Sequence, residues 1–388
     1  MMRWGVAQGI VILMGAMMPG CSGGRGPLML TEQERASVGP LCVGDAAPPL
    51  AIAEWVKGEP VDRFEPGRVY VIDFWATWCG PCIASMGRTS ALQEKHPGRV
   101  TVIAVTTEDR ANTAARIRQH VKKDGARMRF RVAIDRDART ADAYRRASRE
   151  SAIPRSFLVD QNGRLAWIGH PAQAEPVVER MLAGTWDLAA AAKDRTAAVS
   201  ARAEARRCAD ALRAAERTGD NGAKLAALER LCSISPEENN WSPPHAPWMV
   251  RADLLREMGR SAEVGPVLEQ MLAMFPNDPT AQAEGASGLV GIDAARAGEI
   301  ADKAGSLLRS SEESREGEDD WDRWIRDAER EEHAAALQAL ARVRFAQDRA
   351  KDAAALQREA IARLEGSGYS AYLADMRKTL ERYGGAAR

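Results

Sequence analysis

The sequence is short of cysteine and carries no surplus of charge of either sign. Its 388 residues include six cysteines, too few for a disulfide scaffold. Lys and Arg together number 54, as do Asp and Glu, so the net charge gives no reason to expect a nucleic-acid partner. The sequence does not contain the series of long apolar runs that a polytopic membrane protein needs, so this class of protein is excluded. With 45% hydrophobic residues, the chain is expected to form two or three globular domains.

The first 20 residues predict a signal peptide. Arg3 precedes an apolar segment at residues 6–18, which is shorter than a membrane-spanning helix. The sequence Met-Pro-Gly then leads into Cys21 and resembles a bacterial lipobox, so Cys21 is the predicted lipidation site; the alternative is an ordinary secretory signal. Both predict export to the periplasm or cell envelope, an oxidising compartment. Residues 21–40, rich in Gly, Ser and Pro, suit a tether between a lipid anchor and a folded domain.

Residues 41–186 alternate between β-branched runs and amphipathic segments, which predicts an α/β domain with parallel βαβ units, a hairpin and a terminal helix. The Asp-Gln-Asn-Gly sequence at 160–163 is typical of a hairpin turn. Predicted strands are 69–74, 100–105, 130–134, 156–159 and 164–168. Predicted helices are 81–95, 111–123, 138–148 and 175–182.

Residues 187–388 predict an all-α domain, because strand-type runs stop and Ala, Arg, Glu and Leu dominate. A pattern of buried-type residues recurs after 40 positions and resembles tetratricopeptide-type (TPR-like) helical repeats, a surface that suits a protein partner. The alternative is an irregular helical domain. The matching pairs are Cys208 and Trp248, Leu212 and Ala252, Leu228 and Leu268, and Leu231 and Met271.

The sequence Cys79-Gly80-Pro81-Cys82 follows a predicted strand and opens a predicted helix. Unpaired N–H groups at a helix start favour a thiolate, so Cys79 is the predicted nucleophile and Cys82 the resolving thiol. A zinc site would need two further ligands, and no four-ligand pattern exists, so no metal is predicted. The redox-active disulfide takes the place of a cofactor.

Three segments carry a family resemblance. The segment Val71–Cys82 resembles the active-site segment of the thioredoxin superfamily. Val43–Leu50 and residues 152–160 resemble the entry and the cis-proline segment of the TlpA family of membrane-anchored thiol–disulfide oxidoreductases. The resemblance covers residues 41–186. It implies a thioredoxin-like α/β fold, with a central mixed sheet flanked by helices, followed here by the all-α TPR-like domain.

The resemblance also implies site residues. Asp73 would be a buried carboxylate that takes a proton from Cys82; the alternative is a hydrogen-bonded structural acid. Pro154 would follow a cis peptide bond and bring the Ile153 backbone beside the sulfurs, to pair with an extended client chain. Trp75 is expected to pack inside the domain. The implied substrate-binding residues are Trp78, Gly80, Pro81 and Ile153.

The other cysteines are expected to serve structure. Cys208 and Cys232 flank a Gly-Asp-Asn-Gly turn at 219–222 and would face each other in a helical hairpin, so a structural disulfide is possible. The alternative is two small buried cysteines. Cys42 is expected to form no disulfide if Cys21 carries lipid; if Cys21 remains a thiol, the alternative is a Cys21–Cys42 pair.

These features predict an exported thiol–disulfide oxidoreductase that reduces disulfides of client proteins. Gly-Pro between the cysteines resembles reducing thioredoxins, and a reductase in an oxidising compartment needs a membrane electron donor. The alternative is a helical-repeat protein-binding scaffold with an accessory redox-sensing domain.

Overall fold

The computed structural model describes residues 39–239, 241–313, 320, 322, 329–365 and 370–386. Within them an α/β part is followed by an all-α part, as the sequence predicts. Cys21 and the predicted signal peptide lie outside the described residues.

The α/β part is built on a six-stranded sheet in the order β1-β4-β3-β2-β5-β6. The pairs β2–β3 and β3–β4 are parallel and the others are antiparallel, so the sheet is mixed. The first strand was not predicted from the sequence. The strands are β1 (Ile52–Lys57), β2 (Val69–Trp75), β3 (Val100–Thr106), β4 (Arg131–Asp135), β5 (Arg155–Val159) and β6 (Leu165–Gly169).

Strand β2 lies in the interior of the sheet, and both of its faces are covered. All seven of its residues are buried, which fits an almost continuous apolar run. Residues 69, 71 and 75 pack with helices on one face, and residues 70, 72 and 74 pack with aromatic rings on the other. The helices of the first face are α1 (Gly80–Lys95), α2 (Ala114–Asp124) and α3 (Ala174–Leu182).

The predicted helix 138–148 is helical from Arg139 to Arg146, but it is not a regular α-helix. A single α-turn, Arg139–Ala141, passes directly into a π-helical segment, Asp142–Arg146. Tyr144 draws this wide turn onto the sheet: its hydroxyl donates to Pro48 O at 2.5 Å and its ring lies 5.4 Å from that of Phe157. A π-turn places such a side chain where a regular helix would not.

The all-α part begins with a 31-residue helix, α4 (Leu188–Thr218), whose first turns pack on the sheet and whose later turns join the helical core. The residues of the predicted 40-residue repeat are buried in that core; their identity as TPR-like repeats stays a prediction. None of the described helices is both long and apolar enough to cross a membrane. The further helices are α5 (Asn221–Cys232), α6 (Ala246–Glu257), α7 (Val264–Met274), α8 (Pro279–Leu289), α9 (Ala294–Glu313), α10 (Arg330–Ala346), α11 (Ala350–Leu364) and α12 (Ser370–Ala386).

The possible disulfide between Cys208 and Cys232 is absent, because both are free buried thiols. The helical hairpin exists, but the two sulfurs have different surroundings. The Cys208 Sγ lies 3.7 Å from Glu204 Oε1 on its own helix, whereas the Cys232 thiol interacts with Arg251 of α6. The alternative of two small buried cysteines is therefore correct. Burial raises the pKa of Cys232 to about 12 and also raises that of Cys208.

Candidate active site

Cys79 and Cys82 form a disulfide at the start of α1. Cys79 is the N-cap residue, and its Sγ accepts a hydrogen bond from the Cys82 backbone N–H at 3.3 Å. Pro81 lies in the first turn, where its missing N–H costs nothing. Once the disulfide is reduced, the same N–H and the helix dipole favour the thiolate on Cys79.

The turn before Cys79 is held by Asn112, a residue that no sequence motif predicts to be functional. Its Oδ1 accepts from the Thr77 N–H at 3.0 Å and from the Thr77 hydroxyl at 2.8 Å. Its Nδ2 donates to Thr106 Oγ1 at 2.8 Å, and the side chain is fully buried. The amide thus ties the active-site turn to the end of β3. Nothing in the local sequence pattern distinguishes it, because it lies within a predicted helix.

The Ile153–Pro154 peptide bond is cis, as the resemblance implied. It immediately precedes β5, where Arg155 pairs with Phe74 of β2. This register brings the cis-proline beside the end of β2, four residues before Cys79. Ile153 is half-buried and Ala152 is exposed, so an approaching chain can reach the backbone here.

Asp73 is 2% exposed in the middle of the sheet. It lies opposite Ser156 in the β2–β5 register, and the Ser156 hydroxyl donates to Asp73 Oδ1 at 3.0 Å. Burial raises the pKa of Asp73 to about 7, against the smaller lowering effect of this hydrogen bond. Strand alternation directs the carboxyl group to the face shared by Val71 and Trp75, which is also the face that Cys82 joins. A carboxyl group with this pKa can exchange a proton near neutral pH.

The two tryptophans occupy different environments. Trp75 is 2% exposed and its ring lies 5.4 Å from that of His120, whereas Trp78 is 57% exposed. The Trp78 Nε1 donates to Asp109 Oδ2 at 3.4 Å, which holds the indole at the surface. Gly80 is exposed and Pro81 half-buried, so these residues form an accessible rim around the disulfide. Among the described residues, no group of three or more His, Cys, Asp or Glu side chains is placed to hold a metal ion.

Residues 42–182 match the family Redoxin. The chain is similar to Protein FixW of Rhizobium leguminosarum, with 26% identity over 205 residues that cover 51% of this chain and 93% of FixW. It is similar to the thiol-disulfide oxidoreductase ResA of Bacillus cereus, with 26% identity over 125 residues that cover 32% of this chain and 66% of ResA. A solved structure of a thiol-disulfide isomerase from Corynebacterium glutamicum matches 36% of this chain and 97% of its own, with 21% identity and a TM-score of 0.30.

The chain therefore carries a thioredoxin-like domain with a Cys79–Cys82 pair, and it is an enzyme of the thiol–disulfide oxidoreductase class. The Redoxin match ends at residue 182, before α4 begins.

Proposed function

We propose that the protein is an exported thiol–disulfide reductase that acts on disulfides of client proteins. The observation that carries the proposal is the Cys79–Cys82 disulfide, which caps α1 beside an exposed rim and the cis-proline. An N-terminal thiol on a helix is a good nucleophile, and a second thiol three residues later can displace whatever the first has bound.

The first step needs the dithiol form. The Cys79 thiolate attacks one sulfur of the client disulfide, and a bond forms between Cys79 Sγ and that sulfur. The client S–S bond breaks, and the other client sulfur leaves as a thiolate that takes a proton from water. The client chain pairs with the Ile153 backbone while its cysteine contacts the rim formed by Trp78, Gly80 and Pro81.

The second step releases the client. Asp73, as a carboxylate, accepts the proton of the Cys82 thiol, and the new Cys82 thiolate attacks Cys79 Sγ. The mixed disulfide breaks, the second client thiolate leaves and takes a proton, and the Cys79–Cys82 disulfide is formed. Two electrons have passed to the client, which is now a dithiol.

The cycle requires a source of electrons. Each turnover leaves the enzyme oxidised, so a membrane protein that presents a dithiol must return two electrons to Cys79–Cys82. The Gly-Pro pair between the cysteines supports the reducing direction by its resemblance to reducing thioredoxins. Export to the periplasm or cell envelope, with lipid on Cys21, would keep the enzyme close to such a donor.

The function is tested with the full-length protein and insulin as the client, with dithiothreitol as the electron source. The wild type should reduce insulin catalytically, and Cys79→Ser should abolish turnover. Cys82→Ser should retain the first step and accumulate a mixed disulfide on Cys79, detected by mass spectrometry. Cys208→Ala, which removes a buried thiol remote from the disulfide, is the matched control and should retain turnover.

An intact wild-type protein without turnover would contradict the reductase and favour the alternative, a protein-binding helical scaffold with a redox-sensing domain. Export and lipidation need a separate measurement. Cells that express the full chain should incorporate labelled palmitate into the wild type and not into Cys21→Ser, whereas equal labelling would contradict the anchor.

A further inference from the structure

An open cavity of about 610 Å³ lies between the π-helical segment and α4, outside the rim around the disulfide. Its lining is dominated by positive charge, because four arginines contribute to it. Three of them belong to the α/β part and one to the connecting helix. They are Arg145, Arg146, Arg149 and Arg206.

The carboxylates of the lining neutralise these arginines only in part. Glu150 is 4% exposed and is engaged by arginines outside the lining: Arg155 Nε lies 2.9 Å from Oε2, and Arg202 Nη1 lies 3.4 Å from Oε1. Arg195 also contacts Glu150 Oε1. The other lining acid is Asp142, which pairs with Arg146 at 3.2 Å. Four arginines thus face two carboxylates in the lining, and this excess of positive charge favours an anion.

The backbone around the cavity has an unusual form. Ala138 and Arg149 adopt left-handed conformations, with φ of 60° and 58°, although neither is a glycine. Between them runs the π-helical segment Asp142–Arg146. Such conformations cost free energy and cluster at ligand sites. Arg145 and Arg146 lie in this segment and Arg149 follows it, and all three line the cavity.

Arg145 links the cavity to the cis-proline loop. Its Nη2 donates to the backbone oxygen of Ser151, and its Nε is buried without a hydrogen-bond partner. Ser151 lines the cavity and lies three residues before Pro154. Three residues span at most about 10 Å. A client chain paired with Ile153 would therefore reach the cavity with a side chain two to four positions from its disulfide cysteine.

We propose that this cavity binds a client carboxylate, and that the enzyme prefers disulfides with an Asp or Glu two to four residues from the reacting cysteine. Guanidinium groups bind carboxylates through paired, charge-assisted hydrogen bonds. The proposal deepens the reductase function and rests on it, because the cavity selects the client that Cys79 attacks. The ligand class is an acidic peptide segment of a protein.

The test compares two disulfide-bonded peptides that differ at one position, with Glu or Gln three residues from the cysteine. The reduced full-length protein should react with the Glu peptide roughly tenfold faster in kcat/KM at low salt. The preference should shrink as salt rises, because the cavity is open to solvent. Glutathione disulfide, a small molecule that also carries carboxylates, is the third substrate.

The variant Arg146→Gln/Arg206→Gln should bring the ratio between the two peptides towards one. The matched control is Arg213→Gln, which removes an exposed arginine of α4 that pairs with Asp210 outside the cavity, and should keep the wild-type ratio. Equal rates for both peptides with the wild type would overturn the inference and leave the reductase function standing. Reaction with neither peptide would overturn the function itself. Faster reaction with glutathione disulfide than with the Glu peptide would overturn the assignment to a peptide.

Discussion

Asp73 can be selected from the sequence alone, but its hydrogen-bond partner is found only in the structure. Its position six residues before Cys79 was sufficient to select it, because the resemblance fixes that spacing. Its partner Ser156 could not be predicted, since the contact arises from the register between β2 and β5. The same limit applies to Asn112, which joins two loops from different βα units. Spacing along the chain finds a residue, whereas pairing between strands decides what that residue touches.

The raised pKa of Asp73 makes a prediction for stability. A buried carboxyl group with a pKa of about 7 binds a proton more tightly in the folded protein than in the unfolded chain, where the pKa is about 4. The free energy of unfolding should therefore fall as pH rises from about 4 to 7, by up to about 4 kcal/mol. Asp73→Asn cannot ionise, so relative to the wild type it should gain stability over this interval. Urea unfolding at pH 4 to 8.5 measures the difference.

Glu175→Gln, in which an exposed carboxyl group is replaced, is the control and should follow the wild-type curve. Parallel curves for the wild type and Asp73→Asn would show that Asp73 does not keep its proton in the fold.

The proton-acceptor role of Asp73 makes a kinetic prediction. The reduced protein reacts with Ellman's reagent in two phases: attack by Cys79 releases the first coloured thiolate, and attack by Cys82 releases the second. The second phase should accelerate as pH rises to about 7, because Asp73 must be ionised to accept the proton. Asp73→Asn should slow the second phase by roughly 100-fold and leave the first phase largely intact. Stopped-flow absorbance separates the two phases.

Ser156→Ala supplies the control for this mechanism. The Ser156 hydroxyl lowers the pKa of Asp73, so its removal should move the midpoint of the second phase to higher pH. A second phase that is unchanged in Asp73→Asn would assign the residue to structure alone.

At the scale of elements, the strands that can be predicted most readily are those formed by continuous apolar runs in the sequence. The runs that became β2 and β3 are buried on both faces, and such runs stand out in a sequence. Strand β1 escaped prediction because it is an edge strand with polar residues, paired to β4 alone and interrupted by register shifts. The π-helical segment escaped because its composition is that of an ordinary helix, and the docking of Tyr144 decides its geometry.

Helix α4 illustrates the same limit. Its composition predicts a helix and its later turns carry the repeat pattern, but nothing local indicates where the first turns pack. Arg195, Val199, Arg202 and Arg206 follow one another at intervals of three to four residues, so they share one face of the helix. The structure shows what this face contacts: Arg195 and Arg202 pair with Glu150, and Val199 packs against Cys42.

At the scale of the whole molecule, the α/β part and the all-α part have different folds but pack against each other. Helix α4 buries Ala192 against the sheet and Val199 against Cys42. Further along the chain, Asp322 pairs with Arg88 of α1 at 2.7 Å, and Asp320 pairs with Arg127. The helical part is thereby joined to the α/β part at the sheet, at Cys42 and at the helix that carries the disulfide.

The ion cluster around Glu150 makes the final prediction, which concerns the joining of the two parts. Glu150 is 4% exposed and lies in the loop before the cis-proline, while Arg195 and Arg202 come from α4 and are 10% and 26% exposed. Removal of one charge from a buried cluster leaves the opposite charges without compensation, which costs about 3 kcal/mol. Glu150→Gln should therefore lower the midpoint of thermal unfolding by about 8 °C. It should also speed hydrogen exchange in the first half of α4, because the helix loses its hold on the sheet.

Asp210→Asn is the matched control, because it removes a carboxylate of α4 that is 73% exposed and pairs with Arg213. A surface pair of this kind contributes less than about 1 kcal/mol. If Glu150→Gln and Asp210→Asn shift the midpoint equally, the Glu150 cluster does not join the two parts. If Glu150→Gln lowers the midpoint while exchange in α4 stays slow, the cluster stabilises the cis-proline loop by itself, and the attachment of α4 rests on apolar packing around Ala192 and Val199.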